Sequence, residues 1–134
     1  MHARVALVAL AAGVVVACSS GVTPPTGNQQ PGDSILGTWA LATVNGRALP
    51  AADNTGTTWT SSRVTLTNDG RYTSVFSHRA PGSQTTVTEN GAGTWVLRGD
   101  RLEYNGSAVD GIVTFAQTTL TQVNGSTTYV YRRP

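Results

Sequence analysis

The sequence predicts an all-β domain over residues 35–134, a small antiparallel up-and-down (meander) β-barrel of about eight strands. Three observations predict it. From Ile35 onward, short segments alternate apolar and polar residues with a period of two, the side-chain period of a strand. Turn sequences separate those segments, namely Asn45-Gly46, Asn68-Asp69-Gly70, Pro81-Gly82, Asn90-Gly91, Gly99-Asp100 and Asn124-Gly125, and several can supply the left-handed backbone that tight hairpins need. No stretch sustains a helical period. Short hairpin-linked strands in one small domain leave fewer exposed edges when the sheet closes on itself.

The first strand, 35–44, sets Trp39, Leu41 and Thr43 on one face and Ala40, Ala42 and Val44 on the other, and Asn45-Gly46 turns it. Residues 47–62 are the least determined. Arg47 to Pro50 runs into a polar loop at 51–56 that reads equally as a lid, a short helix or plain connection, and Thr58-Trp59-Thr60 reads as a short edge piece. Segments 63–67 and 71–77 form a hairpin, with Val64 and Leu66 inward on the first and Tyr72, Ser74 and Phe76 sharing a face of the second. A polar strand at 85–89 has only Val87 to bury and ends at Asn90-Gly91. Segment 93–98 pairs with 101–105, 111–115 pairs with 118–123 across Ala116-Gln117, and 127–132 is the last strand. Threonine fills many of these positions because its methyl packs and its hydroxyl hydrogen-bonds.

Ahead of the barrel, residues 1–17 carry Arg4 and the chain amine, then an apolar run from Val5 to Ala17 broken only by Gly13. The run is shorter than the roughly 20 apolar residues of a spanning helix and has the form of a secretory signal. It ends in Val15-Val16-Ala17-Cys18-Ser19, which resembles the lipobox of bacterial lipoproteins. The resemblance implies cleavage before Cys18, a diacylglycerol on its sulfur and an acylated amine, several chains holding better than one. Residues 18–34, with Pro24, Pro25 and Pro31 among Gly, Thr, Asn and Gln, are then the lipidated cysteine and a flexible tether. The implied location is the bacterial cell envelope. Ser19 resembles the signal for transfer to the outer membrane where there are two membranes. A single cysteine makes no intramolecular disulfide.

The chain has nine Lys and Arg, all arginine, interspersed with seven acids. Arg132-Arg133 is the one basic cluster, so the sequence lacks the basic stripe of a nucleic-acid partner. His78, beside Arg79 and near Pro81-Gly82, reads as a surface turn residue with no nucleophile or acid placed against it. Asp100 and Asp110 sit in turn contexts and Glu103 alternates outward, so they read as turn and surface residues rather than paired carboxylates. One histidine downstream of Cys18 cannot build a zinc set, and no glycine-rich loop leads into a helix. The sequence predicts no cofactor, no metal and no catalytic residue.

Gly37-Thr38-Trp39 in the first strand, the meander, and Arg132-Arg133 closing the last strand resemble the small lipocalin-like domains of bacterial lipoproteins, relatives of the calycin barrels. That resemblance implies that Gly37 and Trp39 form the opening signature, with the Trp at the closed base. It further implies that Arg132 or Arg133 lies over the indole, a contact worth about 0.5–2 kcal/mol. The chain departs from full lipocalins in its length and in having neither a long first loop nor a terminal helix. Trp59, flanked by Thr and Ser, is a candidate rim aromatic, and Tyr72, Tyr104 and Tyr129 are candidate cavity residues, a ring surface with a hydroxyl at its polar end. Barrels near eight strands either fill with side chains or hold one small ligand.

Two functions follow from these features. One is a membrane-anchored, non-catalytic barrel binding an apolar or amphipathic small molecule. The other is a structural or inhibitor-like envelope module with a filled barrel and a protein partner. Replacing Cys18 by serine is expected to release the protein from the membrane fraction, and a Cys18→Ser protein that still sediments with membranes would refute the anchor.

Overall fold

The computed structural model describes residues 35–106 and 112–134. The expected signal and tether with Cys18, and also Asp110 and Gly111, lie outside them. Among the described residues there is no helix. Ten strands form one antiparallel sheet: β1 (Gly37–Val44), β2 (Arg47–Ala48), β3 (Ala51–Ala52), β4 (Thr58–Leu66), β5 (Arg71–Arg79), β6 (Val87–Arg98), β7 (Arg101–Gly106), β8 (Ile112–Ala116), β9 (Thr119–Asn124) and β10 (Thr127–Arg132). The order is β2-β1-β10-β9-β8-β7-β6-β5-β4-β3, and a further pairing of β1 with β4 closes it. Strands β2 and β3 are two-residue pieces at the ends of β1 and β4. The closed ring is therefore an eight-stranded, lipocalin-like meander barrel, the fold class expected.

Closure works because β1 is paired on both edges. Its first half meets β4, with Trp39 opposite Val64, and its second half meets β10, with Leu41 opposite Tyr131. Between Leu41 and Thr43 the register against β10 slips by one residue. A bulge of this kind reverses the alternation beyond it. Val44, expected on the face opposite Trp39, consequently turns inward and is fully buried with Trp39 and Leu41. A second slip, between Trp59 and Ser61 of β4, brings Trp59 to the same face as Ser62 and Val64. Thr58-Trp59-Thr60 is thus the start of β4 rather than a separate edge piece.

Two further expectations are corrected. Asn90-Gly91 does not turn the chain; β6 runs unbroken through it, with Asn90 opposite Val75 and Gly91 opposite Ser74. Neither residue takes a positive φ, and the ladder to β5 decides the conformation over the local turn preference. Val87, expected to be buried, is 45% exposed, because it stands at the strand's outer end opposite His78. By contrast Asn45-Gly46 (φ 48° and 77°) turns as expected, with the backbone of a type I′ hairpin.

One end of the barrel is solid. Trp39 has no exposed surface, its Nε1 donates to the carbonyl of Ile35 at 2.8 Å, and Phe115 meets its ring edge-on at 5.9 Å. The Arg133 guanidinium lies 4.4 Å from the indole centroid and donates to the Leu36 carbonyl at 2.9 Å. A Cβ on Gly37 (φ 107°) would come within 3.0 Å of that guanidinium, so the glycine two residues before the tryptophan makes room for the arginine. Of the two candidate arginines, Arg133 takes this place. Arg132 is exposed, opposite Ala40 and Thr119 in the ladder. Trp39→Ala should lower stability by about 3–5 kcal/mol in chemical denaturation; a near-neutral result would contradict the packing described.

Candidate functional site

The other end of the barrel is built differently. Ser74 of β5, which is buried, is the register partner of Gly91 of β6, so two adjacent ladder positions present one small side chain and none at all. Ser62 of β4 is a third small inward residue, opposite Phe76 and, through it, Glu89. Beside these positions lies a cavity of about 340 Å³. Val64, Leu120 and Tyr131, which belong to the main core, form part of its lining. Trp59, Phe76, Tyr104 and Tyr129 add aromatic walls, and Ser62, Ser74, Glu89, Gln122 and Asn124 contribute the polar atoms.

Of the candidate cavity residues, Trp59, Tyr104 and Tyr129 are brought together here. Tyr72 is not among the lining residues. Only 1% exposed, it crosses the facing pair Gly93 and Gly106, where an added Cβ would come within 2.8 Å of the tyrosine, an arrangement in which an aromatic covers glycines in a sheet. Its ring meets Tyr104 edge-on, with centroids 4.8 Å apart, so it props a lining residue from behind. Cys18 lies outside the described residues, and Gly37, Trp39 and Arg133 belong to the opposite end.

The 47–62 segment is neither helix nor simple loop, and one residue explains why. Asp53 Oδ1 accepts from the backbone N–H groups of Thr55 at 2.9 Å and Thr57 at 3.1 Å and from the Thr55 hydroxyl at 2.6 Å. Its Oδ2 accepts from Trp59 Nε1 at 3.0 Å and from the Tyr129 hydroxyl at 3.2 Å. Next to it, Asn54 Nδ2 donates to the carbonyl and hydroxyl of Ser126, and its backbone N–H donates to Thr127 Oγ1. These bonds clasp the segment to β10 and fix the indole of Trp59 against the cavity. Sequence reasoning passed over Asp53, although Asp53-Asn54-Thr55-Gly56 is a composition that favours a side-chain-capped turn. Glu89 was missed too, yet two-residue alternation puts it on the face assigned to Val87.

His78 is not on a turn. It lies in β5, which continues to Arg79 because β4 stays paired with it through Thr58 and Trp59. Its side chain is 21% exposed, with Nε2 3.9 Å from Glu89 Oε1. The ring lies near Trp59 and Phe76, at 5.7 and 5.9 Å between centroids, while Nδ1 is buried without a hydrogen-bond partner. Glu103 faces outward and pairs with Arg98 at 3.0 Å. Among the described residues, no three of His, Cys, Asp and Glu are grouped to hold a metal ion.

Burial pushes up the hydroxyl pKa values of Tyr104 and Tyr131. Tyr129 rises to about 12, through burial first and then through the neighbouring Asp53 charge. These tyrosines therefore present neutral hydroxyls across the physiological range. Burial alone would raise Asp53, but the hydrogen bonds from Thr55, Trp59 and Thr57 outweigh it and hold the carboxyl below its ordinary value of 3.8.

No family model matches the chain, and neither a curated protein nor a solved structure does.

Because the folded-state pKa of Asp53 is depressed, its stabilising contribution is complete above the unfolded-state value and lost as pH falls through the folded one. Asp53→Ala should cost about 1.5–3 kcal/mol near neutrality, the scale for hydrogen bonds to a charged group. The gap between wild type and Asp53→Asn in denaturation midpoint should narrow from about pH 5 downward. A gap independent of pH would show that the carboxylate charge contributes nothing to the clasp.

Proposed function

We propose that this is an envelope-anchored, non-catalytic binding protein whose barrel takes up one small amphipathic molecule, with Cys18 and the 18–34 tether holding it to the membrane. The observation that carries the reading is the cavity. Its volume of about 340 Å³ lies at the lower end of the range for small-molecule sites, and such sites characteristically combine apolar walls with a few placed polar groups. Here the walls are rings held by second contacts: Trp59 by Asp53, Tyr129 by Asp53, and Tyr104 by Tyr72. A wall already ordered loses little freedom on binding. The polar side chains at the same end suit a ligand with one polar head and an apolar body.

The test is a titration of the full chain carrying Cys18→Ser, so that no attached acyl chain competes for the cavity. Decanol is the neutral amphipathic probe and tryptophan fluorescence the readout. A saturable change with one site per chain is expected. Ser74→Leu, which fills the cavity from its small-residue side, should weaken binding by about tenfold or more while leaving the β-sheet circular dichroism intact. Equal binding by the filled variant would place the ligand elsewhere.

A further inference from the structure

Within the cavity the distribution of charge is one-sided. Glu89 is the only charged side chain among the lining residues; no arginine or histidine lines it. His78 is the nearest basic group to that carboxylate, and at 3.9 Å it is beyond hydrogen-bond distance. Arg47 and Arg79 belong to strands that end near this rim, but neither lines the cavity. Asp53, which accepts from Trp59 and Tyr129, adds a second carboxylate behind two of the aromatic walls.

We infer that the cavity selects an amphipathic organic cation, an amine with an apolar body, over a fatty acid or other anion; this rests on the binding function proposed above. Two features meet an ammonium group and fail a carboxylate, and a third supplies a further acceptor. Glu89 offers acceptor oxygens only, which match a group that has donors and no acceptor. The rings of Trp59, Phe76, Tyr104 and Tyr129 line the same cavity, and an aromatic ring attracts a cation that approaches its face. Ser74, 3% exposed and lining the cavity, has a buried hydroxyl oxygen without a hydrogen-bond partner, a ready acceptor for an ammonium N–H. An anionic head would find no cationic partner in the wall and would face Glu89, a carboxylate 52% exposed at the rim, a like-charge approach.

The experiment uses three probes that differ only in the head group, decylamine, decanol and decanoate, each titrated at neutral pH into the full chain carrying Cys18→Ser. Decylamine should bind about tenfold or more tighter than decanoate, with decanol between them. Glu89→Gln should bring decylamine to within about twofold of decanol. Decanoate binding as tightly as decylamine, or a preference that survives Glu89→Gln, would overturn the charge selection while decanol binding upheld the carrier function. Failure of all three probes to bind would overturn both. Ser74→Ala gives a second reading, since it removes the hydroxyl without filling the space; it should weaken decylamine more than decanol, and an equal effect on the two would remove Ser74 from the proposed head-group site.

Discussion

Strand β1 hydrogen-bonds to β4 along its first half and to β10 along its second, and the interior exists only because both ladders form at once. A strand asked to do this must change neighbours partway along and still keep its large side chains inside. The bulge near Ala42 reconciles the two demands. Without it, two-residue alternation would carry Trp39 and Leu41 inward and Val44 out; with it, all three are buried. The matching slip in β4 near Thr60 does the same for Trp59. The core and the cavity therefore both depend on two single-residue irregularities in the strands where the sheet joins itself.

The same ring of strands is solid at one end and hollow at the other, and side-chain size decides which. Toward the base the inward positions carry Trp39, Leu66, Tyr72, Leu102 and Phe115, and interiors fill to crystal-like density when such groups interlock. In the cavity wall they carry Ser62 and Ser74, with Gly91 opposite Ser74 in the ladder, flanked by rings held in place by their own partners. Those rings are pinned by partners outside the cavity, so the hollow is built into the structure. Tyr72 serves both halves: it closes the space over Gly93 and Gly106 and supports Tyr104 from behind.

Much of this was legible in the sequence. Period-two alternation located the strands, the turn pairs located most hairpins, and Gly37-Thr38-Trp39 with a terminal arginine pointed to the base. Alternation alone cannot show a bulge, so Val44 was assigned to the wrong face. Asn90-Gly91 illustrates a different limit. A dipeptide that favours a turn is overruled when neighbouring strands hold ladder bonds on both sides, and those bonds come from residues distant in sequence. Glu89 was within reach, since it shares parity with Val87, but a charge in a predicted strand is ordinarily assigned to the outer face. The role of Asp53 depends on Tyr129, 76 positions away, and no local pattern announces that partnership.

The pairing of β1 with β10 also governs when the molecule can exist as a folded object. Ala40 lies opposite Arg132, and the guanidinium that covers Trp39 belongs to the residue after that. A growing chain can form the β4–β5 and β6–β7 hairpins early, since their loops are short, but the ring stays open until β10 has left the ribosome. Bringing such distant segments together is the slow step in strand topologies of this kind. Before it, Trp39 has neither its arginine nor a complete wall around it, and the nascent barrel remains a pliable polymer of hairpins. The last strand to be synthesised is thus the one that encloses the core and brings the cap to its tryptophan.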